Sequence, residues 1–197
     1  MKSRSRSLIA TAFALAAIPA AMAHPGHGPE SGLAAGLAHP FSGWDHVLAM
    51  AAVGYWAAQM RAPRLLPTAF LLAMALGALA GQWTGPVAGA EQAIAASVLV
   101  LGLLIARQVR MPAAAGAALV GAFALFHGAA HGAEMPATAG ALSYGLGFAA
   151  ATAILLAAGV AAGSLASRMT PRASRAPGWA VAAAGLALLV ASVASAP

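Results

Sequence analysis

From about Phe41 the chain is apolar almost to its end, and the polar interruptions are short and evenly spaced. They are Arg61-Ala-Pro-Arg64, the Gly85-Pro86 to Glu91 region, Arg107 to Pro112, Glu134-Met-Pro136 and Arg168 to Pro177. These breaks predict six helices at approximately 41–60, 67–84, 91–106, 113–133, 138–166 and 178–195. Each is near the ~20 residues needed to cross a hydrocarbon core of ~30 Å. The expected fold class is therefore all-α: a polytopic membrane protein with about six transmembrane helices in a compact bundle.

Ahead of this region the pattern changes. Residues 1–23 carry a basic start (Lys2, Arg4, Arg6), an apolar stretch from Leu8 to Ala17, and Pro19 followed by Ala21-Met22-Ala23. That is the layout of a secretory signal peptide cleaved at a small-x-small site. Residues 24–38 then form a periplasmic, histidine-bearing N-terminal segment ending in a small-residue linker, and residues 39–197 are the six-helix domain. With the mature N-terminus outside, Arg61, Arg64, Arg107, Arg110, Arg168, Arg172 and Arg175 all fall in inner loops, and the outer loops carry no lysine or arginine. This asymmetry matches the positive-inside rule, as expected of an inner-membrane protein whose mature N-terminus is outside.

Composition sharpens the picture. The 197 residues are 61% hydrophobic and 7% charged, with a mean hydropathy of +0.83, against roughly 25% charged residues in soluble domains. The formal charge of +6 resides in the leader and three small loop groups, so it reads as topology and gives no reason to expect nucleic acid. There is no cysteine, which excludes disulfides and thiolate ligands, and the only lysine is Lys2, which leaves no P-loop lysine after cleavage. Gly77-x-x-x-Gly81, Gly128-x-x-x-Gly132 and Gly159-x-x-x-Gly163 mark faces where helix backbones approach closely.

The six histidines and four acidic residues all lie outside or in the outer half of a predicted helix. Ionisable groups in a span cost roughly 2.5–3.5 kcal/mol on insertion scales and mark sites or pathways. One cluster is His39-Pro-Phe-Ser-Gly-Trp-Asp45-His46, at the entry of the first helix. Helical from Pro40, it sets His39 and His46 two turns apart on one face, with Asp45 as a direct ligand or as an acceptor orienting an imidazole from a neighbouring helix. Met50 lies on the face of His46, where packing is the plainer role. The second cluster, at the outer end of the fourth helix, puts His127, His131 and Glu134 on one face, a spacing that converges two imidazoles and a carboxylate on one ion. Glu91, at the start of the third helix, is in place to favour the helix dipole or to ligate. His24 and His27, at the mature end, could capture metal as an auxiliary site.

Together these clusters resemble the HupE/UreJ family of bacterial membrane proteins. The resemblance runs over nearly the whole chain and rests on His39-Pro-x-x-Gly-x-Asp45-His46-x-Leu-x-Met50 and Phe126-His127-Gly-x-x-His131-Gly-x-Glu134, in that order. It implies a nickel (sometimes cobalt) permease accessory to nickel enzymes, linked to hydrogenase or urease maturation, in which His39, Asp45, His46, His127, His131 and Glu134 matter for uptake. A larger nickel/cobalt permease family has a His-x4-Asp-His pattern. Here five residues separate His39 from Asp45, and that closer identity is not supported.

The resulting expectation is a transport protein rather than an enzyme. A divalent cation, Ni2+ with Co2+ or Zn2+ as chemically compatible ions, is collected at the outer surface and moves inward between the first and fourth helices. Two other classes fit the histidines: an intramembrane zinc hydrolase with Asp45 or Glu134 activating water, and a haem-binding electron carrier using histidine pairs.

Overall fold

The structure, a computed structural model, describes residues 32–135 and 140–195. The signal-peptide reading, residues 24–31 with His24 and His27, and Pro136 lie outside the described residues. Every regular element among the described residues is helical. They are α1 (Leu33–Ala38), a 3-10 turn (His39–Phe41), α2 (Trp44–Gln59), α3 (Leu65–Thr84), α4 (Ala90–Ala106), α5 (Ala113–Glu134), α6 (Ala141–Ala166) and α7 (Pro171–Ala194).

Four of these, α3, α5, α6 and α7, are long and apolar enough to cross a membrane, while α4 is a shorter apolar helix of 17 residues and α2 has 16. Their outward faces carry Leu72, Leu76, Leu142, Ile154, Leu186 and Val190, each more than half exposed. In water such a surface would be an aggregation liability, whereas lipid solvates it. α2 is the inner member of the bundle. Met50, Val53, Trp56 and Ala57 are fully buried on it, and the Trp56 indole donates to the Val109 carbonyl at 3.0 Å.

The bundle is made of three close helix pairs, α3 with α5, α4 with α7, and α2 with α6. Glycines set each spacing: a Cβ on Gly81 would strike the backbone of Ala129, one on Gly128 would strike Met74 and Ala78, and one on Gly159 would strike Ala51 and Tyr55. Gly102, Gly178 and Gly185 serve α4 and α7 in the same way. The Gly77/Gly81 and Gly128/Gly132 faces pack on each other's helices, so contact distances that no side chain would permit give van der Waals attraction between backbones.

Three sequence expectations need correction. The last helix begins at Pro171, not near 178: Pro171 occupies the first turn, where no N–H is missed, Thr170 caps it by accepting from Ala173 N, and the helix continues through Pro177. The stretch expected as a linker up to residue 38 contains α1, too short to persist alone. It is held because Gly36 lies against the backbone of Tyr144 and Phe148 and Gly147 against that of Leu33. Finally, no helix runs on from Pro40; the 3-10 turn ends at Phe41 and α2 starts afresh after Gly43.

Turns at the arginine-bearing end are closed without glycine. Arg61 (φ 58°) and Gln108 (φ 51°) are left-handed, and the bonds Ala62 N to Ala57 O and Val109 N to Leu104 O, both 2.9 Å, complete Schellman motifs. Gln108 is retained there by bonds to Ser174 Oγ and Arg175 Nε, but Arg61 has no such tie among the described residues. Arg61→Gly is therefore expected to raise stability by up to about 1 kcal/mol, checked as a higher apparent Tm in detergent.

Candidate metal centre

The site lies at the end of the bundle opposite these arginine turns, where α2 and α4 begin and α5 ends. Its first part is a fold-back at the start of α2. Asp45 Oδ1 accepts the backbone N–H of His46 at 2.9 Å and its Nδ1–H at 2.6 Å. A side chain on Gly43 would collide with both groups, so the glycine is what lets carboxylate and imidazole close over the helix start.

The 3-10 turn brings in His39. Ser42 Oγ donates to the His39 carbonyl at 2.6 Å, and His39 Nε2 lies 3.1 Å from His131 Nδ1 on α5. Burial holds the His39 imidazole below its ordinary pKa; Glu134 pulls it back up and His46 lowers it further. The neutral ring, with a lone pair to offer, is thereby favoured at neutral pH. Donor atoms of His39, His131 and Glu134 all lie within 4.8 Å of one another, compact enough for one cation to draw them together. A cavity of about 150 Å³ opens on them, also lined by His46, Ser42 and Glu91.

His127 sits one turn before His131 on α5, about 6 Å further in. It is fully buried, and its Nδ1 donates to the Phe123 carbonyl at 3.0 Å. The four rings form a row: His39 to His131 at 4.9 Å between centroids, His131 to His46 at 4.3 Å, and His46 to His127 at 5.6 Å. Phe148 of α6 stands 4.5 Å from His131, and Phe70 of α3 stands 5.9 Å from His127. Apolar rings thus wall the row.

The two clusters are brought together, but not as spacing alone implied. His127, His131 and Glu134 do not converge as one trio; His39, arriving from the 3-10 turn, takes the place expected of His127 beside His131 and Glu134. Asp45 orients the imidazole next to it in sequence, not one from a neighbouring helix. Met50 is fully buried in the apolar core, the packing role. Glu91, in the first turn of α4, is exposed and faces the same cavity. Sequence reasoning included Gly43 only as a motif position without a role, and missed Phe148 and the Phe123 carbonyl. A glycine before a helix carries a weak signal, and nothing distinguishes one buried phenylalanine or main-chain carbonyl from its neighbours before the chain is folded.

The family profile described as HupE / UreJ protein matches residues 11–188. The chain is 45% identical over 188 residues to Protein HupE from Rhizobium leguminosarum bv. viciae, covering 93% of this chain and 98% of that one. No solved structure matches it.

Proposed function

The chain belongs to the HupE/UreJ family, and on that premise we propose that it is a nickel permease of the bacterial inner membrane, with cobalt as its other cargo. It delivers the ion to the cytoplasm for hydrogenase or urease maturation. The observation that carries this reading is the meeting of His39, His131 and Glu134, with donor atoms within 4.8 Å, from segments 92 residues apart. Imidazole and carboxylate donors suit borderline divalent ions, and a site of this make-up excludes none of the chemistry that nickel requires.

In this reading α2 to α7 are six spans, the signal peptide is removed, and the arginine-bearing turns face the cytoplasm. α2 needs no full lipid-crossing length because it is sheathed by its neighbours, and broken backbone at membrane depth is tolerated where it lines a cavity. The cation enters at the periplasmic cavity, sheds water to His39, His131 and Glu134, and passes inward along the histidine row between α2 and α5. Entry into a negative interior favours a doubly charged ion by about 4.6 kcal/mol per 100 mV, twice the single-charge figure. His24 and His27, at the mature N-terminus, serve as an auxiliary capture site.

Uptake of radioactive nickel into proteoliposomes tests the proposal. Wild type is expected to accumulate the ion, and His46→Ala to reduce the initial rate at least tenfold. A well-folded His46→Ala protein with wild-type uptake would remove the histidine row from the transport path.

A further inference from the structure

Two imidazoles in the row are locked in the same tautomer. A carboxylate and a carbonyl have only lone pairs to offer, so Nδ1 of His46, facing Asp45, and Nδ1 of His127, facing the Phe123 carbonyl, both carry the hydrogen. In the neutral rings Nε2 is then a bare lone pair. Neither Nε2 has a hydrogen-bond partner among the described residues, and the same holds for His131 Nε2. His127 is 0% and His131 5% exposed, so these nitrogens are shut away from solvent. A buried acceptor left unpaired costs about 1–3 kcal/mol. Imidazoles whose other nitrogen is tied to a carboxylate or carbonyl are the form that metal-binding histidines take.

The outer trio does not account for them. His39, His131 and Glu134 gather at the cavity, while His46 and His127 stand 5.6 Å apart by ring centroid, at 85°, with Phe70 against His127. His131 touches both groups, with its ring 4.9 Å from His39 and 4.3 Å from His46.

We propose that the cation occupies two successive positions: an outer one at His39, His131 and Glu134, and an inner, imidazole-only one between His46 and His127. His131 belongs to both and passes the ion by turning its ring. The assignment rests on the transport reading, which it deepens by dividing the histidine row into two binding positions. The outer position offers a carboxylate at a wet cavity, which hard ions such as Mg2+ also accept with their waters. The inner one offers neutral nitrogen donors in a dry surround, so only ions that exchange water for imidazole, such as Ni2+, Co2+ and Zn2+, proceed.

Titration of the detergent-purified full chain carrying His24→Gln and His27→Gln with Co2+, followed by visible absorption, separates the two positions. His39→Gln combined with Glu134→Gln removes the outer ligands at a half-buried and an exposed residue, where folding is little at risk. This double variant is expected to bind one Co2+ still, at least tenfold more weakly than that parent chain. Adding His127→Gln is expected to weaken that remaining binding at least tenfold again. Should the buried substitution prevent folding, Asp45→Asn in the double variant tests the same position by releasing His46, with an expected loss of about 10–100-fold. A double variant that binds no Co2+, or one indifferent to both inner substitutions, overturns the inner position. Nickel uptake by wild type, run alongside, keeps the two readings apart: binding at both positions without uptake would reject transport alone.

Discussion

His131→Ala is expected to abolish uptake and to weaken metal binding in the bundle more than about 100-fold, the largest effect of any single substitution in the site. His131 is the ring that meets His39 at 3.1 Å through Nδ1, leans on His46 at 4.3 Å and belongs to the compact donor group with Glu134. Its loss takes a ligand from the outer position and the connection to the inner one. Losing only a group that orients a ligand costs about 10–100-fold in metal affinity, so removal of this shared ligand is expected to exceed 100-fold. Calorimetric titration with Ni2+ checks it, with size-exclusion elution as the folding control. Binding within tenfold of wild type, in a protein that elutes as wild type does, would displace His131 from the centre.

Gly128→Leu is expected to prevent accumulation of folded protein. Even the first side-chain carbon at this position meets backbone atoms of α3, with Ala78 N at 2.8 Å and Met74 C at 2.9 Å. Backbone cannot turn aside as a flexible side chain can, and ordinary overpacking already costs about 1–3 kcal/mol. To make room α3 and α5 must part, which also carries His127 and His131 away from α2. The expected yield of monodisperse protein is at least tenfold below wild type. Gly145→Ala is the control, because nothing lies within 4 Å of its Cβ position. Equal yields for Gly128→Leu and wild type would show that the close approach of these helices is dispensable.

The small-residue spacings illustrate how local sequence is converted into a particular contact. Gly77, Gly81, Gly128 and Gly132 advertise smooth helix faces, but in a chain with 22 glycines they do not say which face meets which. Packing decides it, since the face of α5 that bears Gly128 and Gly132 also orients His127 and His131. The start of α2 teaches the complementary lesson. Treated as one helix from Pro40, the first cluster puts His39 and His46 on a common face; the actual break at Ser42–Gly43 turns His39 toward α5 and leaves Asp45 to fold back on His46. Proline suits a 3-10 turn as well as the first turn of an α-helix, and the sequence pattern does not separate the two.

What the residues determined by themselves was the helical class, the position of most helices within a few residues, the segregation of arginine from histidine and acid, and the two groups of chemically capable side chains. Each follows from hydropathy along a short stretch or from charge sign, quantities that need no neighbour in space. What only the tertiary structure decided was the partnership of His39 with His131, the depth of His127, the common tautomer of His46 and His127, and the docking of α1 on α6. These depend on contacts between residues as distant in sequence as Leu33 and Gly147, and such contacts are fixed by which helix faces pack closest, a property of the whole bundle.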